Sequence, residues 1–471
     1  MSIPPNIFPY SLVKEVTEGL APQLLQSLRD INLPNSSDDI SRVSGFLDRL
    51  FHRSPTDLAR KKSAAEVRSI LEGCLEAISM QSKADDGIGV SLKRTHDSCG
   101  LFIALGDHPF IISTLAERLY EAKISLICYQ HPILSVKGRK VALSFIDIDS
   151  ESRDQIEGLI PNLLESLRSL INIVDDYAAM VAACDCTTSR NIGQINTEWG
   201  QLPENEARDF FNWLSNGSFF FIGTSTWGQG SLLPGALGAW KSKSESQERL
   251  RAVIADDLQK AAKNQVDFAI TKLLLKSPAH RHVPLLHVFI RANRGENTWL
   301  SLVGYLTSKA LACEALDIPV LRHKLDQVLT TEETPPNSHD YKYVIEVIDN
   351  MPTDEALRLP VRDLQTIAQL ALGVFSREDS RSVTCIDTRA RWALTTIVMP
   401  PERYSAATRS EVRSIVESSF GAAPSSSEIH LDSSKKRQLR LYISTPLSGS
   451  AEQKNPDPVS YTHLRAHETL R

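Results

Sequence analysis

The chain has 471 residues, of which 42% are apolar and 23% charged, and its formal net charge is -5. These values are ordinary for a globular protein, and the length predicts about three domains, each with a core of its own. The slight acidic excess argues against a nucleic-acid-binding protein, because such proteins need a surplus of lysine and arginine to contact phosphates.

The sequence gives no sign of a membrane segment or of a secretory signal. No apolar run approaches the roughly twenty residues that cross a bilayer, and residues 1–12 lack a basic flank, an apolar core and a cleavage site. The seven cysteines are scattered along the chain, and an odd, scattered set does not indicate a disulfide framework. We therefore expect a cytoplasmic protein with reduced thiols and no membrane partner.

Residues 1–86 predict a small helical module. Leu20, Leu24 and Leu28 share one helical face, and a second apolar stripe is centred on Ile70. The loop over 33–39 lies between these stripes and ends in candidate N-cap residues.

Residues 87–187 predict a first α+β module. An apolar strand over 99–105 ends in the turn Gly106-Asp107-His108-Pro109, and a helix over 110–122 follows. The apolar stretches that come next predict strands over 124–129, 133–136 and 141–148. This β-α-β-β order is typical of a ferredoxin-like sandwich. A long amphipathic helix over 156–177 follows, and Pro161 predicts either a kink or a late helix start.

The rest of the chain repeats this pattern. Residues 202–312 predict a second module, in which the glycine-rich stretch over 228–238 is a mobile loop, and residues 313–378 predict a helical connector. Residues 379–447 predict a third module with β-β-α-β order, and residues 448–471 predict a disordered tail. The expected fold class is therefore α+β, with an N-terminal helical module and about three ferredoxin-like (βαββαβ) modules joined by helices.

No residue constellation predicts a catalytic, cofactor or metal site. Gly228-Gln229-Gly230 lacks the third glycine and the acidic residue of a dinucleotide loop, which favours a surface loop. Cys184 and Cys186 are too closely spaced for a zinc knuckle. Asp147 and Asp149 share a strand face, and a solvated strand end explains them.

The segment His280-Arg281-His282 leaves two interpretations open. In a strand, its two imidazoles would lie on one face and would suit a metal or an anion. A half-exposed polar strand edge explains the same residues and is the favoured interpretation.

Several stretches, in this order, resemble the large bacterial NAD-specific glutamate dehydrogenases. The residues around Asp107 and His131 are similar to the first ACT-type regulatory module of that family, and Thr271-Lys272 with His280-Arg281 is similar to a strand segment of the second. The most specific similarities are Ile318-Pro319-Val320-Leu321-Arg322-His323-Lys324 and Ser338-His339-Asp340. The chain departs from the family at Leu273-Leu274, where an Ala-Asn pair is usual.

The resemblance implies that this chain is the regulatory and assembly region of an NAD-dependent enzyme. The full-length protein would convert glutamate to 2-oxoglutarate and ammonia, and NAD would bind outside this chain. Residues 458–469 resemble translated sequencing-adapter read-through, so the catalytic half would be missing here. We expect the chain alone to be inactive and to contact its catalytic domain and further copies of itself.

The same resemblance implies a small-molecule effector, most simply an amino acid. The turn before the first-module helix could receive its carboxylate, because helix N-termini attract anions. The candidate effector-binding residues are Asp107, His108, His131, His280 and Arg281. Two alternatives stay open: the turn residues only shape the turn, or the chain is a stand-alone amino-acid-binding or oligomerisation protein without enzymatic activity.

Overall fold

The computed structural model describes residues 7–34, 36–52, 61–94, 98–185, 194–293, 297–332, 334–375, 380–387, 389, 391–424, 426–435 and 438–447. The predicted tail, 448–471, lies outside these ranges. The chain divides into two compact units. The first is Met1–Val174 with Pro278–His282, and the second is Asp175–Ser277 with Val283–Arg471. No helix in the described ranges is both long and apolar enough to cross a bilayer.

In its described residues the first unit begins with helices α1 (Tyr10–Glu18), α2 (Pro22–Arg29), α3 (Asp39–Phe51) and α4 (Ala64–Gln81). Helices α2 and α4 confirm the helices predicted around Leu24 and Ile70. Asp38 and Ser63 cap α3 and α4 in capping boxes, which satisfy backbone N–H groups that have no partner within the helix. Helices α1 and α2 pack on α4, and α3 packs on α1 and α2, so that the apolar faces of all four contribute to one hydrophobic core.

This core continues into an antiparallel sheet of five strands, β1 (Gly89–Arg94), β2 (Ser98–Gly106), β3 (Leu126–Gln130), β4 (Ile133–Val136) and β5 (Arg139–Asp149). The order is β1-β2-β5-β3, and β4 also pairs with β5. Phe102 and Phe145 are register partners whose rings stack at 5.0 Å. A Cβ at Gly73 of α4 would lie 2.3 Å from the Phe102 ring, so glycine lets this helix approach the sheet.

Helices α5 (Ile111–Glu121) and α6 (Arg153–Asp175) complete the first unit. Pro161 lies inside α6, so the prediction of a late helix start is wrong. The interpretation of Asp147 as a solvated strand end is also wrong. This side chain is 3% exposed and lies 3.1 Å from the Lys62 ammonium, because the chain before α4 brings a lysine over the strand.

The second unit opens with α7 (Tyr177–Asp185), the short strands β6 (Ile195–Thr197) and β7 (Gly200–Leu202), and α8 (Glu204–Trp213). A six-stranded antiparallel sheet follows, formed by β8 (Phe219–Gly228), β9 (Ser231–Leu232), β10 (Leu237–Gly238), β11 (Phe268–Lys276), β12 (Pro284–Asn293) and β13 (Thr298–Leu306). Its order is β10-β8-β13-β12-β11, and β9 also pairs with β8. Helix α9 (Glu245–Lys263) connects β10 to β11.

The glycine-rich stretch after β8 is a hairpin. Trp227 pairs with Leu232 and Gly228 with Ser231, and the two residues between have positive φ, 51° at Gln229 and 79° at Gly230. Two consecutive positive φ values are typical of a tight hairpin turn, which explains the glycine without a bound phosphate.

The predicted helical connector contains α10 (Ser308–Leu311), α11 (Leu321–Thr331), α12 (His339–Asp349), α13 (Thr353–Arg358) and α14 (Val361–Phe375). Helices α11 and α12 pack on α14, while α13 packs on β11. This region therefore contacts the six-stranded sheet directly.

A four-stranded antiparallel sheet completes the second unit: β14 (Arg381–Ile386), β15 (Trp392–Met399), β16 (Glu428–Lys435) and β17 (Gln438–Pro446), with α15 (Ala406–Ser419) between β15 and β16. The order is β14-β15-β17-β16. One face carries Leu439, Leu441 and Ile443 and packs with Val416 of α15 in a small apolar core. The other face carries Arg440, Tyr442 and Ser444 toward the helical region.

The α+β fold class is confirmed. In the described residues of the first and last sheets, two strands precede the helix and the later strands follow it, so β1 and β14 hold the edge beside β2 and β15. The β-β-α-β order predicted for residues 379–447 agrees with β14, β15, α15 and β17, although the prediction lacked β16. In the first sheet the predicted β-α-β-β order is wrong, because it lacked β1.

Candidate functional site

The five predicted effector residues all lie in the first unit, and among them Asp107 and His108 precede α5 while His280 contacts its first turn. Asp107 and His108 form the turn between β2 and α5, and the His108 ring nitrogen Nδ1 lies 3.0 Å from the carbonyl oxygen of Gly106. Phe110 occupies the N-cap position with a φ of 70°, a left-handed conformation that is uncommon outside glycine. We call Asp107, His108, His131, His280 and Arg281 the α5 cluster.

His280 and Arg281 reach this cluster from a bend rather than from a strand, so the prediction of a strand with both imidazoles on one face is wrong. Strand β11 ends at Lys276 and β12 begins at Pro284, and the φ of 64° at His280 interrupts the strand geometry. His280 Nδ1 lies 2.9 Å from Ser113 Oγ, and its backbone N–H donates to Thr114 Oγ1 at 2.9 Å. Its ring also lies 4.3 Å from the Phe110 ring.

His282 contacts α5 one turn further on. Its Nε2 lies 2.8 Å from the Glu121 carboxylate, and its Nδ1 lies 2.6 Å from Arg118. The two imidazoles of the segment therefore contact different parts of one helix. The described residues bring together no three His, Cys, Asp or Glu side chains that could hold a metal ion.

His131 directly follows β3. Its Nδ1 lies 2.9 Å from Ser144 Oγ, and burial lowers its pKa, while the Asp107 carboxylate opposes that shift. Burial and the Arg281 charge both lower the pKa of His280. Both imidazoles are therefore mainly neutral at pH 7, and each can accept or donate a hydrogen bond.

The second unit contains a buried charge network that sequence reasoning missed. At its centre, Lys272 of β11 is only 2% exposed, and its ammonium lies 2.9 Å from Glu355, 2.9 Å from Asp354 and 2.7 Å from Glu428. Burial alone would lower the pKa of Lys272, but the three carboxylates outweigh it and raise it. One lysine thus binds the six-stranded sheet to α13 and to β16.

Glu355 extends the network into the last sheet. It accepts a hydrogen bond from Ser444 Oγ at 2.7 Å and forms an ion pair with Arg358. Burial opposes its ionisation, but the charges of Arg358 and Lys272 prevail and lower its pKa to about 2. Glu355 is therefore ionised across the physiological range.

Arg358 links this centre to a second cluster. It lies 3.7 Å from Asp387, which accepts a hydrogen bond from the Arg391 backbone N–H at 2.8 Å. The Arg391 guanidinium in turn makes a two-point contact with Asp257 of α9, at 2.8 and 3.1 Å. Two parallel bonds of this kind fix orientation as well as charge.

Asp257 also begins an Asp-His-Ser relay. Its Oδ2 lies 3.0 Å from His287 Nδ1, and His287 Nε2 lies 3.1 Å from Ser301 Oγ. Burial lowers the pKa of His287, whereas hydrogen bonding and nearby cations hold that of Asp257 well below its ordinary value. All three side chains are 0% exposed, so no substrate reaches the serine. The relay is structural, although a serine protease uses the same order of groups.

A cavity of about 150 Å³ borders the network and is lined by Lys272, Asp354, Glu355, Glu428, His430 and Ser444, among others. Ligand pockets usually measure about 300–1,000 Å³, so this space suits a few water molecules better than an amino acid. The local sequence signal for the network was weak. It consisted of polar residues such as His287 inside otherwise apolar strands, and periodicity alone cannot say which of them meet.

A comparison with known protein families finds a match in the helical region between the last two sheets. Residues 318–377 match the family model for glutamate dehydrogenase, helical motif 1. This stretch contains α11 to α14, and so includes Glu355 and Arg358.

Similarity extends beyond the motif. The chain is 22% identical over 286 residues to the NAD-specific glutamate dehydrogenase of Mycobacterium tuberculosis. It is 23% identical over 298 residues to that of Halomonas elongata, and 22% identical over 343 residues to that of Pseudomonas aeruginosa. The chain is related to part of these enzymes. The matched stretches cover 58, 58 and 66% of this chain but only 16, 18 and 21% of the respective relatives.

Proposed function

We propose that this chain is the regulatory and assembly region of an NAD-dependent glutamate dehydrogenase. The full-length protein would oxidise L-glutamate to 2-oxoglutarate and ammonia, with NAD and the reacting groups held outside the part described above. The observation that carries the proposal is the position of the stretch that matches the glutamate dehydrogenase helical motif, which lies between two sheets. Its charged residues Glu355 and Arg358 are engaged in joining two sheets, as suits a scaffold rather than a substrate site.

The regulatory part of the proposal places an amino-acid effector at the α5 cluster. The first turn of α5 presents backbone N–H groups, which favour a carboxylate, and His131, His280 and Arg281 supply hydrogen bonds and positive charge. The Asp107 carboxylate supplies the complementary charge for an ammonium group. Together these groups match both ends of an amino acid.

Titration calorimetry on the purified chain with each of the twenty amino acids tests the effector site. We expect saturable binding of at least one of them, and weaker binding in His280→Ala. His339→Ala is the matched control, because that imidazole is 74% exposed and lies on α12. Binding that is unchanged in His280→Ala would place the effector elsewhere, and no binding by any amino acid would contradict a regulatory role of this kind.

An activity assay separates the enzymatic part of the proposal. We expect no reduction of NAD by glutamate with this chain alone, and glutamate-dependent NADH formation when the same region is expressed within a complete relative. Turnover by the purified chain above a blank would contradict the assignment of the chemistry to another region.

A further inference from the structure

A buried lysine of the helical motif stands apart from the charge network. Lys324 of α11 is 0% exposed. Its Nζ donates hydrogen bonds to the carbonyl oxygens of Leu357 at 2.5 Å and Leu359 at 2.9 Å, and it lies 4.8 Å from the centre of the Trp199 ring. Within the described chain its bonded partners are thus two neutral carbonyls, and no bonded carboxylate neutralises its charge.

These carbonyls belong to the end of α13. Leu357 lies in its last turn and Leu359 is its C-cap residue. The carbonyl groups at a helix C-terminus lack partners within the helix, and the two N–H groups of a neutral amine are enough to donate to both of these carbonyls. Because α13 also carries Glu355 and Arg358, the lysine holds the helix that anchors the charge network.

The helix that presents the lysine is itself fixed. Glu206 accepts hydrogen bonds from the Val320 backbone N–H at 3.1 Å and from Arg322 Nε at 3.0 Å. Val320 has a φ of 71°, which is unusual for a β-branched residue and persists only where the surroundings impose it. These contacts hold the start of α11 in place, so we expect solvation of Lys324 to require that its contact with α13 open.

Burial makes the charged form of Lys324 unfavourable. It lowers the pKa of this lysine to about 7, the Arg358 charge acts in the same direction, and Glu198 of the β6–β7 turn opposes it. Elements packed against α11 also carry the carboxyl groups of Asp317, Asp349 and Asp363, and α11 itself carries His323. Burial raises the pKa of Asp349 and of Asp363 above the ordinary carboxyl value, so the variants described below are needed to assign the proton to the lysine.

We infer that Lys324 is a proton-operated latch: the contact between α11 and α13 is tight when the amine is neutral and opens more readily when the amine takes up a proton. The sign follows from linkage. In the open state the lysine regains its ordinary pKa near 10.5, so between about pH 7 and 10.5 opening binds one proton. The opening equilibrium constant should therefore fall about tenfold for each unit of rising pH in that window and level off below about pH 7. This inference does not depend on the proposed function.

Hydrogen exchange tests the latch. Exchange of the backbone amides of residues 353–359 would be followed from about pH 6 to 9.5 and corrected for the intrinsic pH dependence of exchange. We expect the corrected opening constant to fall steeply above pH 7 in the native chain, while amides of α4 in the first unit show no such slope. A flat profile in 353–359 would overturn the inference.

Two variants identify the proton. Lys324→Met has no titratable group and should abolish the slope, whereas His323→Gln, on the same helix, should preserve it. Retention of the slope in Lys324→Met, or its loss in His323→Gln, would assign the proton to another residue. Should Lys324→Met fail to fold, Lys324→Arg replaces it, because an arginine stays charged throughout this pH range and should also give a flat profile.

Discussion

The first and last sheets share one strand order but are covered in opposite ways. In both sheets, two strands of a hairpin come first along the chain, then a helix, then the remaining strands. The second strand along the chain lies beside the last one in each sheet. The first sheet faces α4 through Phe102, Leu143 and Phe145. The last sheet faces the helical motif through Arg440, Tyr442 and Ser444. The same topology is therefore compatible with an apolar or a strongly polar interface.

The two kinds of interface differ in how well they accept substitutions and in how strictly they fix one arrangement of the packed elements. An apolar interface gains free energy in proportion to buried area and accepts substitutions of similar volume. A buried charge network gains little net free energy, but it penalises any arrangement that leaves one charge unpaired. We interpret the polar interface as the one that fixes a single arrangement of the helical motif.

The largest loss of stability is expected from Glu355→Gln. This change leaves Lys272 and Arg358 short of a carboxylate inside the protein and should lower the free energy of unfolding by about 3–5 kcal/mol. All six tryptophans lie in the second unit, so tryptophan fluorescence during urea denaturation reports on that unit alone. Glu411→Gln, at an exposed position of α15, controls for the lost charge, and equal stability of the two variants would refute the role of the network.

Double substitutions compare the charge network of the second unit with the apolar interface of the first. Lys272→Met with Glu355→Met removes opposite charges together and should cost less than the sum of the single changes, by up to about 3 kcal/mol. Phe102→Ala with Phe145→Ala enlarges one void and should show no such recovery. Double-mutant cycles measure both terms, and strict additivity in the network would contradict the comparison.

A smaller effect is expected from Asp147→Asn, which breaks the buried ion pair with Lys62 in the first unit. Because the lysine remains partly accessible to water, at 14% exposure, the loss should be about 1–2 kcal/mol, near the lower end of the range for an unpaired buried group. Hydrogen exchange of the β2 amides reports this loss. Asp149→Asn, on the same strand, is the matched control and should change it less.

The smallest effect is expected at the start of α4. Ser63→Ala removes a capping hydrogen bond and should lower stability by about 1 kcal/mol. Ser63→Thr keeps the hydroxyl group and should restore most of the loss. Exchange rates in the first turn of α4 distinguish the two variants, and identical rates would show that the cap is dispensable.

The sequence by itself determined the broad class of this protein and many of its helices and strands, although it did not predict β1 or β16. Apolar spacing of three and four predicted the helices near Ile70 and over 156–177, and alternation predicted the strand over 141–148, because both signals arise within one short segment. The loop before α3 carried its own N-cap at Asp38. Family resemblance supplied the relation to glutamate dehydrogenases, which the helical motif and the relatives support.

Only the tertiary structure decided which polar residues meet. Lys272 and Glu428 are 156 positions apart, and no local pattern predicts that their side chains pair at 2.7 Å. A strand was predicted at His280, yet the bend there depends on a left-handed backbone and on contacts with α5. Lys324 looked like one more lysine on an amphipathic helix. Its burial follows from the packing of α13 and Trp199 around it, because desolvation depends on neighbours that are remote in sequence.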